Sequence, residues 1–503
     1  MLAQVHSFVL QGIDPIACEV EVDVADRGLA KTTIVGLPDT AVKESIERVR
    51  SAITNSDYAF PMSRMLVNLA PADVRKEGPI FDLPIAVGLL LAEQVIQTQR
   101  HKGLLFAGEL SLDGRLRPIN GVINLAILAQ EKDFEGLVVP DANASEAAAV
   151  SGVRVYPAST LAGVVGFLND QIDIQPQPQL DVEAALSAQT AAVDFADVRG
   201  QEAAKRAVTI AAAGAHNLLM IGPAGTGKTL MAKALTGILP PLSRQEALEV
   251  TRIFSTVGQI PRGQPLVTQR PVRTPHHTSS GVAMIGGGTV PRPGEVSLAH
   301  RGVLFLDEMP EFPRSVLETL RQPLEDGCVS IARAHSSLRF PARFMLVAAM
   351  NPTPKGDKPT DQYSIRQMER YLARISGPLI DRIDVHVEVP AVPFRQLAGA
   401  PNGTSSASMR DQVMQARQTQ TRRNGGATTP NSTLSTRQLD QLARLDEAGR
   451  EMVKQAMSEM GLSARAYDKI RRVSRTIADL EDNESVQAHH VAEAIQYRIL
   501  DRQ

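Results

Sequence analysis

Cysteine is scarce in this chain: Cys18 and Cys328 are the only two among 503 residues. Two thiols so far apart in sequence exclude a disulfide-stapled scaffold and a cysteine zinc site, and they fit a reducing compartment. Net charge is close to absent as well. At -2, with a pI near 6.6, no global basic field advertises nucleic acid, so any such site has to be a local patch. No apolar run reaches the roughly eighteen residues that a membrane span needs. The start, Met1-Leu2-Ala3-Gln4-Val5-His6, lacks the basic stretch ahead of an apolar one that a secretion leader carries. Self-similarity at a solenoid period is missing too. These absences predict a cytoplasmic chain without a membrane partner, and its length implies about three domains.

Against this plain background one string stands out. The apolar run Leu218-Leu219-Met220-Ile221 leads straight into Gly222-Pro223-Ala224-Gly225-Thr226-Gly227-Lys228-Thr229. A strand must turn sharply into a helix here while backbone N–H groups converge on a phosphate, and glycine alone allows that approach. Lys228 has the reach for β- and γ-phosphates, Thr229 has the hydroxyl for Mg²⁺, and the helix opening at Gly227 turns its positive end to the anion. Downstream, Gly302 to Leu306 reads as a buried parallel strand ending in Asp307 and Glu308, a Walker B pattern. Asp307 suits Mg²⁺ and Glu308 suits a general base for water, although an Asp-Glu pair also caps helices. A third apolar strand, Phe344 to Met350, ends at Asn351, whose amide can hold the lytic water or serve as a turn residue before Pro352.

Composition shifts mark the boundaries. Asp173-Ile174-Gln175-Pro176-Gln177-Pro178-Gln179 opens a polar linker over 173–189, and looser stretches run from Ala398 to Ser408 and from Asn424 to Thr433. The expected units are 1–172, 190–396 and 404–503. Strands alternate with helical patterns in the middle unit, which calls for an α/β fold with a parallel sheet. Apolar positions of helical period mark Thr436 to Met460, Ala464 to Glu481 and Gln487 to Asp501 in the last.

Several further segments carry a resemblance: Val198-Arg199-Gly200-Gln201, Thr274-Pro275-His276-His277-Thr278, Ile285-Gly286-Gly287-Gly288, Gly302 to Glu308, and Ile375 to Asp384. Together with the P-loop they resemble the magnesium-chelatase-like AAA+ proteins, and all three units in order resemble the ComM/YifB branch of that family. The resemblance implies ATP and Mg²⁺ as cofactors, Asn351 as sensor 1, and a homo-oligomeric, hexameric ring. It also implies that Arg382 is an arginine finger for the neighbouring subunit and that Arg465 is sensor 2, reaching the γ-phosphate from the helical lid. An ion pair with Asp381 or Asp384 is the other reading of Arg382, and a solvated helix residue is the other reading of Arg465. By the same resemblance, Arg270 to Glu295 forms a helix-2 insert and Ser330 to Arg343 a hairpin, both directed at a ring pore. The DNA-contact candidates there are Arg270, Arg273, His276, His277, Arg333, His335 and Arg339. His276 and His277 are adjacent, and adjacent residues rarely point at one metal ion.

The first unit resembles the proteolytic domain of Lon and the related domain of RadA, of ribosomal-S5-like α/β fold. Arg75 to Asp82 and Gly108 to Arg115 carry that likeness, but Ile80 and Ile123 stand in the serine and lysine slots. The dyad is therefore missing, which leaves a scaffold role or a DNA-binding one. The cysteine cluster that relatives often carry after sensor 1 is also missing: Asn351 to Pro359 holds none. The resemblance implies an ATP-dependent motor on single-stranded, duplex or branched DNA, a branch-migration helicase serving recombination during natural transformation. A remodeller of a protein partner and a non-catalytic regulatory ATPase are the alternatives.

Overall fold

Buried and exposed residues alternate along Asp14–Val24, the period-two pattern of a strand with one covered face. The computed structural model describes residues 1–25, 29, 31–187, 193–261, 263–332, 337–352, 371, 373–393, 403–426, 429–498 and 500. They pack as two compact units, Met1–Ser187 with Ser243–Thr268, and Ala188–Leu242 with Gln269–Gln503. The mixed α/β class matches the sequence reading.

Unit 1 is built on a seven-stranded sheet. Its strands are β1 (Leu2–Gln11), β2 (Asp14–Val24), β3 (Lys31–Val35), β4 (Arg64–Ala70), β5 (Leu104–Phe106), β6 (Gly136–Pro140) and β7 (Arg154–Ala158), in the order β3-β4-β2-β1-β5-β6-β7. Helices α1 (Thr40–Asn55) and α2 (Asp82–Ala92) pack on Val20, Val22, Met65 and Val67. Leu105, Leu137 and Val139 point to the other face, under α3 (Val122–Glu131) and α4 (Asp141–Ala147). Two basic residues of this unit turn inward. Arg48 forks onto the buried Asp82 carboxylate at 2.8 and 3.0 Å, and fully buried Lys76 donates to the Pro71 carbonyl. Ile123 is buried as well. Part of the linker is fastened to unit 1 at two points: Gln177 N–H donates to the Val155 carbonyl of edge strand β7 at 2.8 Å, and Leu180 N–H to the Ala148 carbonyl at the end of α4 at 3.0 Å.

Unit 2 starts with α5 (Glu202–Gly214), β8 (Leu218–Ile221) and α6 (Lys228–Ala234). The chain then contributes α7 (Arg244–Thr256) to unit 1 and returns through β9 (Val272–Arg273). An antiparallel pair of two-residue strands, β10 (Gly286–Gly287) with β11 (Arg292–Pro293), sits between helices Gly281–Ile285 and Glu295–Leu298. β12 (Val303–Leu306), the hairpin β13 (Cys328–Ala332) with β14 (Ser337–Pro341), β15 (Met345–Met350) and β16 (Val385–Glu388) follow. The five-stranded sheet runs β9-β12-β15-β8-β16, and all its pairings are parallel.

The C-terminal region is helical and shares a core with the sheet: Val385 and Val387 belong to the same buried cluster as Val413, Ile470 and Val491. Two details differ from the sequence reading. Thr436 to Met460 is two helices, Thr436–Leu442 and Glu447–Met460, because the Asp446 carboxylate caps the second by accepting from Gly449 N–H at 2.7 Å. A helix over Ser406–Arg423 begins inside the stretch read as loose, since only Met409, Val413 and Ala416 make an apolar stripe on an otherwise polar surface.

Candidate nucleotide site

Parallel register brings the motif residues to one edge of the sheet. Strand β15 lies between β8 and β12, with Ile221 opposite Met350 and Leu306 opposite Ala348, so Gly222, Asp307 and Asn351 all emerge at the carboxyl ends of their strands. In open α/β sheets that edge is where ligands bind. The turn out of β8 depends on glycine. A Cβ on Gly222 would lie 2.0 Å from the Val389 carbonyl oxygen, so no side chain fits. Gly225 and Gly227 have φ of 78° and 89°, and a Cβ on either would meet nothing within 4 Å. The loop thus presents bare backbone around open space, as a phosphate cradle requires.

Lys228 is only 7% exposed. Its ammonium donates to the carbonyls of Gly222 at 2.6 Å and Pro223 at 2.7 Å and to Asn351 Oδ1 at 3.3 Å. Burial pushes its pKa down, and the carboxylates of Asp307 and Glu308 oppose that shift. Thr229 Oγ1 donates to Asp307 Oδ2 at 2.8 Å, so the two candidate Mg²⁺ ligands already touch. Asp307 Oδ1 accepts from Glu308 N–H at 3.0 Å. Glu308 itself sits in the left-handed region, φ 49° and ψ 48°, a conformation that costs a non-glycine residue on the order of 1–3 kcal/mol. That twist leaves its carboxylate exposed beside Asp307 instead of carrying it into the strand. Hydroxyl, carboxylates, ammonium and amide converge on one cradle, and the donor set fits Mg²⁺ with a nucleotide triphosphate.

Two neighbours carry no motif that sequence reasoning singles out for the site. Gln201 Nε2 donates to the carbonyls of Thr226 at 3.4 Å and Pro390 at 2.6 Å, tying the P-loop to the chain after β16. Buried Tyr371 hydrogen-bonds the Asn351 backbone. Its phenol is pushed up to about 12, by burial first and then by Glu311. A glutamine closing the Val198–Gln201 segment is the one hint in the sequence; a lone tyrosine gives none.

Comparison with known proteins covers the same ground. Residues 194–397 match the family described as magnesium chelatase, subunit ChlI, residues 20–143 match subunit ChlI of Mg-chelatase, and residues 403–498 match the ChlI C-terminal family. Over 505 residues the chain is 44% identical to "Competence protein ComM" of Haemophilus influenzae, covering 100% of this chain and 98% of that protein. The chain belongs to the ComM/YifB family of magnesium-chelatase-like AAA+ proteins. "Uncharacterized protein YifB" of Salmonella typhimurium is 42% identical over 504 residues, covering 100% of this chain and 98% of that one. The "Magnesium-chelatase 38 kDa subunit" of Cereibacter sphaeroides is 29% identical over 175 residues, 31% of this chain and 52% of that protein. Membership of this AAA+ family implies ATP use with Mg²⁺ and oligomerisation. Among the described residues no helix is long and apolar enough to cross a membrane.

For a ComM/YifB member, the two arginines expected at the nucleotide have an informative placement. The Arg382 carbonyl accepts from Asn217 Nδ2 at 2.8 Å, immediately before β8, at the opposite end of that strand from the P-loop. Its guanidinium donates to the Pro378 carbonyl at 2.6 Å and pairs with Glu325, not with Asp381 or Asp384. Exposed Arg465 opens helix Ala464–Leu480 and acts on the same Glu325 carboxyl, which Arg382 above all holds below the usual carboxylate range. In the same helix Lys469 donates to the Ile383 carbonyl at 3.1 Å and pairs with Asp384 at 3.4 Å. Burial pushes the Asp384 carboxyl up, yet Lys469, His216 and the Asn217 N–H outweigh it and hold it well below the ordinary range. Both arginines therefore group at the end of the sheet away from the chain's own Lys228.

The DNA-contact candidates divide. Arg270 is a structural pin: it donates to the carbonyls of Pro240 at 2.6 Å, Arg301 at 2.6 Å and Pro241 at 3.2 Å. Arg273 is forked onto Glu295 at 2.6 and 2.8 Å. These internal partners correct the expectation that both guanidiniums face a pore. Arg270→Ala orphans three carbonyls, and we expect it to cost about 1–3 kcal/mol, read as a lower melting temperature in scanning calorimetry. His276 is exposed with Nδ1 on Thr278 Oγ1 at 2.9 Å, and its ring lies 4.1 Å from that of His277. Arg339 is exposed on β14, its Nε 2.9 Å from Cys328 Sγ. Arg333 and His335 lie outside the described residues. Among the described residues the His/Glu group with metal-like spacing is Glu481, His489 and His490, not the 276–277 pair. His490 Nδ1 accepts from Gln487 N–H at 2.9 Å, and its Nε2 lies 3.1 Å from Glu481 Oε2, so both ring nitrogens already have partners within the fold.

Proposed function

We propose that this chain is an ATP-driven motor that assembles into a hexameric ring and moves the branch points of recombining DNA. The observation that carries this reading is the division of the site. Phosphate cradle, metal ligands and base lie at one end of the sheet, whereas Arg382 and Arg465 lie at the other. A guanidinium so placed serves a neighbour's nucleotide, and only a closed ring completes every site. Bound Mg-ATP supplies the phosphoryl group whose transfer to water releases the energy. Around it, Lys228 and the P-loop amides hold charge, Thr229 and Asp307 hold the metal, Asn351 orients water and Glu308 takes its proton. The pairing with a protein named for competence over the full length supports DNA as the partner. Among the described residues of the two inserted segments, Arg292 on β11, Arg339 on β14 and His276 are exposed.

The test is conversion of a labelled four-way DNA junction into duplexes by purified protein with ATP. Arg292→Ala with Arg339→Ala should weaken binding on all sequences alike and reduce the salt slope by about 2, one for each guanidinium removed from a phosphate, while basal hydrolysis persists. Protein that hydrolyses ATP, assembles, and neither binds nor moves junctions would favour the second reading, a remodeller of a protein partner, which the partial likeness to a magnesium-chelatase subunit supports.

A further inference from the structure

Arg382 stands on a fixed base. Its carbonyl accepts from Asn217 Nδ2 at 2.8 Å, and Asn217 Oδ1 in turn accepts from Leu346 N–H at 2.8 Å, so one amide ties the residue to the start of β8 and to β15. The next carbonyl, that of Ile383, accepts from Arg498 Nη1 at 2.6 Å and from Lys469 Nζ at 3.1 Å. A single helical turn, Gly377–Ile380, leads in, and Arg382 N–H donates to the Leu379 carbonyl at 3.0 Å. With the backbone held from both sides, only the side chain is left to be placed.

An arginine side chain left to itself samples many rotamers. Here it is largely covered, 14% exposed, and its head is held at both terminal nitrogens. Nη1 donates to the Pro378 carbonyl at 2.6 Å, a partner four residues back, whereas Nη2 pairs with Glu325, which comes from 57 residues earlier at the end of helix Arg321–Asp326. Glu325 also feels Arg465 and Arg321, but Arg321 is engaged by Glu318 Oε2 at 2.9 Å. Two guanidiniums from different elements thus share one carboxylate and outnumber it. The acid offsets their mutual repulsion without cancelling the positive charge that a phosphate needs.

We infer that Glu325 is the positioning residue of this pair: it presets Arg382, and with it Arg465, for the γ-phosphate of a neighbouring copy's nucleotide. A guanidinium held in place before the phosphate arrives needs no reorganisation when charge develops in the transition state. Loosened, the same group would have to be ordered at each turnover, and misplacement by about 1 Å costs on the order of 10²-fold in rate. This role rests on the trans action of Arg382 proposed for the ring, and it has a side. Glu325 matters in the copy that supplies the arginine and not in the copy that holds the nucleotide.

Mixtures of full-length variants with Mg-ATP test this. Lys228→Ala protein can only supply an arginine and Arg382→Ala protein can only receive one, so phosphate release from the mixture reads the interfaces between them. Glu325→Ala added to the supplying protein, as Lys228→Ala/Glu325→Ala, should cut the rescued rate by roughly ten- to hundred-fold. Added to the receiving protein, as Arg382→Ala/Glu325→Ala, it should leave the rescued rate unchanged, which also shows that the substitution folds and assembles. A rescued rate that is undiminished or raised when the supplying protein lacks Glu325 overturns the assignment, a rise meaning that the acid restrains the arginine instead. Equal loss on both sides makes Glu325 a folding contact and overturns it as well. Absence of rescue between the two single variants removes the trans action of Arg382 and the role of Glu325 with it.

Discussion

Glu308→Gln should bind ATP at wild-type strength and hydrolyse it about 10²–10⁴-fold more slowly, whereas Lys228→Ala should fail to bind. The two residues act at separable points. Lys228 is the buried cation on the P-loop carbonyls and Asn351, so its removal takes away the charge that meets the phosphates. Glu308 is exposed beside Asp307, and the amide keeps its size and its unusual backbone while losing the ability to accept a proton. Filter binding of labelled nucleotide separates retention from loss, and phosphate release gives the rate. Wild-type turnover by Glu308→Gln would assign the base to another residue.

Mixing should rescue what each variant lacks. Arg382→Ala and Lys228→Ala proteins, each without turnover alone, should regain partial hydrolysis when combined, because some interfaces between copies then pair an intact cradle with an intact guanidinium. The expectation follows from Asn217, which holds the Arg382 carbonyl at the end of β8 remote from Gly222. Losing a guanidinium that acts only in the transition state costs about 10³–10⁵ in rate, so partial rescue stands far above background. Native mass spectrometry of wild type should show nucleotide promoting a closed ring. Absence of both rescue and assembly would remove the ring from the scheme.

Local strings were legible and partners were not. The P-loop, the acidic end of β12 and Asn351 announce themselves because each is a strand with its chemistry at the next residue, and parallel pairing then does the rest. Arg270 and Arg273 look like free cations in a glycine- and proline-rich stretch, but the carbonyls of Pro240 and Arg301 that claim the first lie outside that stretch, and the Glu295 carboxylate that claims the second stands at its far end. Helix Ser406–Arg423 is faint in the sequence because its buried stripe is short and its surface polar. The docking of 243–268 onto unit 1 rests on Glu146 and Asn124, more than a hundred residues away, and no local pattern encodes it.

The bonds from Gln177 and Leu180 to Val155 and Ala148 change what the proline-punctuated segment after unit 1 can be. A tether that hems the border of a sheet is not spare rope. Tension on the chain there would have to unpick the hem from β7 before it could lengthen. A protease hunting for slack would find Gln177 and Leu180 already fastened, and a strand-hungry neighbour would meet the Val155 carbonyl of that border already taken.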